Sequence, residues 1–393
     1  MAVVCTKEAD ALRADYIAIQ ETMRRSITAG YAGAKATHWD IWIRFCASIG
    51  EIPCLSSIRD PVPYIQIFGH RYRDGRLSAS GNPVGSKTVS DAMRSVGQTL
   101  RWMGSKDVRL DEYGEIDFRI RAQIKAYKKV DPAPNRVKPA PITLVIDALN
   151  FAYHEKPTAE RKAVANMICL AFFFCLRPGE YTGTTTDDQA FAVDDVVLFL
   201  GGRRLNNATA TDDEVAMATH VHLIFTTQKN GEKGEEIAHA RSGDPLCCPV
   251  TSVSRQLILH REESRRRGTP YDGAIKLATY YNLHNTRVPV KASHITQTLR
   301  WHAGVLEPVT GIPAASISAR SLRAGGAMAL LAGGCDKNII QLLARWKSDA
   351  MMRYLHQQAR PVFEKLAGCM FNNGQYTFLP TDWVPAAGAT VIG

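Results

Sequence analysis

The chain has 393 residues, 45% hydrophobic and 22% charged, with a formal net charge of +10 and a sequence pI near 9.1. That length can bury a sizeable core and fits two domains, and the composition excludes wholesale disorder. The longest apolar run, MICLAFFFCL at 167–176, is too short to span a bilayer.

The opening residues, MAVVCTKEADALRADY, lack the basic start and apolar stretch of a secretory signal. An intracellular protein, cytoplasmic or nuclear and with no membrane partner, is therefore expected, and its nine cysteines are expected to be reduced thiols. Cys247 and Cys248, with His239 nearby, lack the paired C-x-x-C spacing of a zinc site, so no structural metal is expected; no other cofactor is expected either. The positive charge is uneven. Residues 1–139 hold 22 Lys and Arg against 15 Asp and Glu, so seven of the ten excess charges lie there. Such a surplus suits a polyanion, because neutralising phosphates releases condensed counterions.

In chain order, ADALRADYIAIQETMRRSI, AKATHWDIWIRFCASIG, PVPYIQIFGHRYR and KTVSDAMRSVGQTLRWMG repeat apolar residues at three- and four-residue steps. This period predicts amphipathic helices, and residues 1–131 read as a small helical domain. It sets basic and aromatic residues side by side (His38, Trp39, Trp42 and Arg44; Arg101 and Trp102), a pattern that could grip a nucleic-acid backbone but more often marks core aromatics with solvated arginine neighbours. The stretch KKVDPAPNRVKPAPIT carries four prolines and four cations without a hydrophobic period. It reads as an extended basic linker, centred on residues 132–141.

Residues 142–393 form the second domain. ITLVIDALNFAYH and AERKAVANMICLAFFFCL predict helices, the second apolar on nearly every face and hence buried. FAVDDVVLFL, THVHLIFTTQ and EEIAHAR read as strands, with Asn230-Gly231 as a tight turn between the last two, which together make a small antiparallel sheet. VTSVSRQLILHREESRRR, SHITQTLRWHAGVL, LRAGGAMALLAGG, DKNIIQLLARW and DAMMRYLHQQ return to helical period. The expected class is mainly α with a small antiparallel β-sheet.

Several residues stand out. Arg177 follows the buried helix, before the Pro178-Gly179 turn, as either a helix-end cation or a functional one. Lys229 sits at the expected hairpin tip, with Lys233 close by. Arg320 and Arg323 flank Ser321-Leu322, Ser321 being a good N-cap, and the helix that follows contains Gly325-Gly326, a sign of close backbone approach. Trp346 and Tyr354 follow on the last helical segments.

The order and spacing of Arg177, Lys229, Arg320-x-x-Arg323, Trp346 and Tyr354 resemble the catalytic set of the tyrosine recombinases, or phage-type integrases. RSLRAGGAMALLAGGCDKNIIQLLARWKSDAMMRYLH carries the closest likeness, to the family's H-x-x-R box, its His/Trp position and its terminal tyrosine; by pattern the chain looks closest to integrases of eukaryotic mobile elements. The resemblance implies a DNA-clamping core-binding domain followed by a catalytic domain with a C-terminal tail. It also implies a site-specific recombinase that cleaves and rejoins double-stranded DNA through a 3′-phosphotyrosine, as a homo-tetramer, without ATP, metal or a small-molecule ligand. Tyr354 is then the nucleophile, and Arg177 and Arg323 stabilise the phosphorane. Lys229, rather than Lys233, is the general acid, Trp346 donates its indole N–H to a phosphate oxygen, and Glu180 braces the first arginine.

Two features depart from the pattern. Arg320 stands where the family has a histidine, and an arginine cannot accept the tyrosine proton. Trp346 to Tyr354 is one residue tighter than the common spacing. An inert DNA-binding relative and a type IB topoisomerase activity are the alternative functions.

Overall fold

The computed structural model describes residues 6–24, 29–133, 137–183, 190–226 and 234–346. The chain divides into two compact units, residues 1–135 and 136–393.

The first unit is helical: α1 (Thr6–Arg24), α2 (Ala29–Ser48), α3 (Val62–Arg73), α4 (Ser86–Trp102) and α5 (Phe118–Val130). Helix α4 shows why. Val89, Ala92, Met93, Val96 and Leu100 recur every three or four residues and are all buried, in one core with Trp42 and Phe45 of α2 and Ile65 and Phe68 of α3. Trp42 is fully buried and donates its indole N–H to the Pro53 carbonyl at 2.9 Å, so it belongs to the core and not to a nucleic-acid grip. Trp102 differs: it is exposed, with the Lys35 ammonium 5.2 Å from its ring. Helix α5 is not foreseen by apolar period, since Ile120 is its one buried residue among five cations; its start is fixed by Asp117, which accepts from the Arg119 N–H. It absorbs Lys128 and Lys129 from the stretch that reads as linker.

The second unit holds α6 (Ile142–Asn150), a π-helical turn (Phe151–Glu155), α7 (Ala159–Phe173), α8 (Pro178–Tyr181), β1 (Val196–Leu200), β2 (Arg203–Arg204), α9 (Asp212–Ala216), β3 (His220–Phe225) and β4 (Glu235–Ala240). There follow α10 (Pro249–Arg267), β5 (Thr279–Tyr281), β6 (Arg287–Pro289), α11 (Ala292–Thr310), α12 (Ser321–Ala332) and α13 (Lys337–Leu343). The unit is mainly α, with an antiparallel sheet ordered β2-β1-β3-β4 and a separate β5-β6 hairpin. The expected strand at 191–200 shortens to 196–200, because Val193–Asp195 coil into a 3-10 turn in which the Asp195 carboxylate accepts from the Ala192 N–H at 2.8 Å.

Helix α7 is the axis of this unit, buried from Ala163 to Phe172. Its N-terminus is capped by Thr158, whose hydroxyl accepts from the Arg161 N–H. Helix α12 lies directly on it. A Cβ added at Gly326 would stand 2.1 Å from the Phe172 carbonyl oxygen, and one at Gly325 would stand 2.1 Å from that of Ala140. The glycine pair is therefore a packing device that lets two backbones touch. The strand-like chain at 138–140 is pinned to the same helix end, with Lys138 N–H bonded to Ser316 O at 2.8 Å and Ala140 N–H to Ser321 O at 3.0 Å.

Gly326→Ala should destabilise the second unit by at least about 2 kcal/mol, since backbone cannot yield to the added methyl. Gly304→Ala, whose new methyl meets only the Ala314 side chain at 4.0 Å, should be neutral or slightly stabilising through helix propensity. Urea unfolding of the two variants checks this; equal effects would contradict the close-approach explanation.

Candidate functional site

The α7 C-terminus sets the site. After Phe173 the chain turns through Cys175, which has a left-handed φ of +49°, and Arg177 opens α8. Within that turn Arg177 and Glu180 lock together: the Arg177 N–H and its guanidinium Nη1 each donate to the Glu180 carboxylate at 2.7 Å. Glu180 is 4% exposed, whereas the Arg177 side chain is 34% exposed, so the carboxylate is the buried anchor and the guanidinium reaches outward.

Because α12 lies against α7, Arg323 meets the turn from the other side. It is buried, and its Nη1 donates to the Cys175 carbonyl at 2.7 Å while its Nη2 donates to the carbonyl of Ala344. The Trp346 ring lies 4.9 Å from the same guanidinium in cation–π contact. Burial, and then the nearby charge of Arg177, pull the Arg323 pKa down to about 10. Among the described residues Arg323 bonds to no carboxylate: carbonyl dipoles and an aromatic face meet its guanidinium directly, and Glu180 acts on it only through space.

A third guanidinium, outside the set that the sequence pattern marks, completes the cluster. Arg345 follows α13 with φ +53°, and its side chain is 2% exposed. Its Nη2 donates to Glu180 Oε2 at 2.9 Å, and its guanidinium lies 3.9 Å from the centre of the Phe225 ring at the end of β3. Burial lowers its pKa, partly offset by Glu180. Three cations thus gather about the single buried carboxylate of Glu180, with Glu235 of β4 a further negative influence on Arg345, and positive charge is left in excess. The one signal in the sequence was Ala-Arg-Trp directly after the apolar end of α13, where a helix stop ordinarily uses glycine or asparagine.

The structure therefore brings together Arg177, Glu180, Arg323 and Trp346. Arg320 is not part of the group. It is the exposed N-cap residue of α12, with no side-chain cap bond. Ser321, expected as the N-cap, is instead the first helical residue and fully buried; its hydroxyl accepts from the Ser318 N–H at 3.1 Å, and its carbonyl is taken by Ala140. Lys229, Lys233 and Tyr354 lie outside the described residues. Cys247, Cys248 and Cys169 are buried free thiols, and His239 bonds through Nε2 to the Phe173 carbonyl at 2.9 Å.

A cluster of this kind can hold a tetrahedral oxyanion. Arg323 offers a charge bonded only to carbonyls among the described residues in a dry setting, and Arg177 presents a partly exposed guanidinium. A separate cavity of about 950 Å³, walled by Phe151, Tyr280, Tyr281, His294 and Trp301, includes none of the clustered arginines in its lining. Its size does not make it the site of this chemistry. No described helix is long and apolar enough to cross a membrane.

No protein-family model matches the sequence, and no curated protein matches it. The solved structures to which the chain is similar include integrases and site-specific recombinases. They include the Tn1549 transposon integrase in complex with transposon right end DNA, at 13% identity and a TM-score of 0.43 over 80% of this chain and 85% of that one. The XerH site-specific recombinase bound to its palindromic difH substrate, in a post-cleavage complex, is similar at 12% identity and a TM-score of 0.44, over 79% of this chain and 70% of that one. A lambda integrase dimer bound to a core site is similar at 12% identity and a TM-score of 0.40, over 76% and 65%.

Inorganic phosphate, compared with chloride at equal ionic strength, should raise the unfolding temperature by roughly 2–4 °C at about ten times its dissociation constant. The increment should shrink in Arg177→Ala and persist in Arg320→Ala. Scanning calorimetry distinguishes this from anion binding elsewhere, which would leave the Arg177→Ala increment intact.

Proposed function

We propose that this chain is a tyrosine-type DNA strand transferase, a site-specific recombinase or integrase acting on double-stranded DNA. The observation that carries the reading is the excess of guanidinium charge around Glu180, with one cation partly exposed and one bonded, among the described residues, to carbonyls and not to a carboxylate. Such a site favours an anion that gains charge during reaction, as the nonbridging oxygens of a phosphodiester do on becoming a pentavalent phosphorane.

In the proposed reaction the Tyr354 hydroxyl oxygen attacks phosphorus and loses its proton, and the bond to the 5′-oxygen breaks. Lys229, four residues beyond Phe225 at the end of β3, gives that leaving oxygen its proton. The products are a 3′-phosphotyrosine and a free 5′-hydroxyl. The ester bond is conserved in the adduct, so attack by another 5′-hydroxyl rejoins the strands without ATP. Arg177 and Arg323 bind the nonbridging oxygens, and Trp346 holds Arg323 in place. Arg320 contributes a cation at the exposed entrance of α12 but no base, so the tyrosine proton passes to solvent or to the substrate. The helical first unit, with 20 Lys and Arg against 15 Asp and Glu, clamps the duplex, and four copies of the chain act together on two duplexes.

The test uses a library of nicked duplexes of randomised sequence, with the covalent adducts recovered and the modified peptide mapped by mass spectrometry. Wild type should yield an adduct on the peptide containing Tyr354, and Tyr354→Phe should reduce it at least about a thousandfold, as removal of a nucleophile does. Duplex binding with no adduct from wild type would favour the inert DNA-binding relative. Adducts that relax supercoiled plasmid without site preference would favour topoisomerase activity.

A further inference from the structure

The turn at Arg345 is where the parts of the cluster meet. We propose that Arg345 is a positioning residue, whose guanidinium occupies Glu180 so that Arg323 keeps its charge free for the bound phosphate. This rests on the strand-transfer reading above for its catalytic consequence, and on geometry alone for its structural one.

The side chain is 2% exposed, so it does not reach a substrate directly. What it does reach is the chain after α7, the α8 turn, the end of α13 and the end of β3. Nη2 donates to Glu180 Oε2 at 2.9 Å, Nη1 lies 3.4 Å from the Phe174 carbonyl and 3.3 Å from that of Leu343, and the guanidinium plane rests on Phe225. Its backbone acts as well. The left-handed turn at Arg345 lies between the Ala344 carbonyl, which accepts from Arg323, and the Trp346 ring, which faces the same guanidinium.

Both oxygens of Glu180 are thereby used: Oε1 accepts from the Arg177 side chain, and Oε2 from the Arg177 N–H and from Arg345. A carboxylate with a free oxygen beside Arg323 would be drawn to it and would neutralise the charge that the phosphate needs. Arg345 completes Oε2, which the Arg177 N–H occupies on its other side, so Glu180 acts on Arg323 only through space. Capping of α7 is a lesser role, because the contact with the Phe174 carbonyl is at the long limit of a hydrogen bond while the bond to Glu180 is short. Stability alone would not select an arginine here. The position has a left-handed φ that glycine adopts freely, and the buried Nε of Arg345 lacks a hydrogen-bond partner.

Three variants test the proposal: Arg345→Gly, which suits the backbone and removes the guanidinium; Arg345→Lys, which keeps a charge; and Glu180→Gln. Each is assayed for affinity to a fluorescent duplex, for the initial rate of adduct formation with the randomised nicked library, and for hydrogen exchange at 177–183 and 224–226. Arg345→Gly should bind the duplex within about threefold of wild type yet form adducts about a hundredfold more slowly, the cost of displacing catalytic groups by about 1 Å. Arg345→Lys should recover about tenfold of that loss, and exchange should rise at 177–183 and 224–226 together. An adduct rate within threefold of wild type in Arg345→Gly, or faster exchange confined to 343–346, would overturn the proposal. Should Arg345→Gly not fold, Arg345→Lys and Glu180→Gln give the same split between binding and rate. Should wild type form no adduct, the strand-transfer reading fails, while the coupled or local pattern of exchange still decides the role of Arg345.

Discussion

The carboxylate of Glu180, buried and shared between Arg177 and Arg345, is the constraint on which the rest of the site depends. Taking ions out of water costs several kcal/mol each, and attraction offsets this only where geometry is good and the remaining donors are bonded. Glu180 meets that condition with three donors on two oxygens, and the short α8 turn exists to present it. The arginines are less fully compensated. Arg323 has carbonyl oxygens and a tryptophan face, and Arg345 carries an unpartnered Nε. Stored electrostatic cost of this sort is what an approaching anion would relieve.

Packing makes the arrangement precise. The backbone contact at Gly325-Gly326 presses α12 against the end of α7, and this places Arg323, less than one turn earlier, against the Cys175 carbonyl. The apolar run of α7 that reads in the sequence only as a buried helix is therefore the reference surface for two of the three cations. Phe225 and Trp346 supply the aromatic faces over Arg345 and Arg323. In this way a sheet end, two helix ends and a turn converge on one carboxylate.

Much of this was legible in the sequence, and the remainder was hidden for identifiable reasons. Apolar period revealed α4, α7 and α10, and β-branched runs revealed β1, β3 and β4. Helix α5 escaped because its cations interrupt the apolar spacing, and β2 because two exposed arginines after a glycine pair carry no alternation. Arg177, Glu180, Arg323 and Trp346 were found from their order along the chain and do converge. Arg345 was missed because local propensity argues for glycine at a left-handed helix stop, and only the fold shows that a cation there meets Glu180. Arg320 was grouped with Arg323 on spacing, yet it stands at the exposed N-cap, before the first helical residue, while Arg323 lies within the buried first turn.

The central claim is that Arg177 and Arg323 together form an anion site whose charge Glu180 does not neutralise. Crystals of the protein soaked in tungstate, a dense tetrahedral oxyanion, test it most directly by anomalous diffraction. The account predicts a tungsten peak bonded by the guanidiniums of both residues. Tungstate bound elsewhere on the protein, with none between these two side chains, would contradict it.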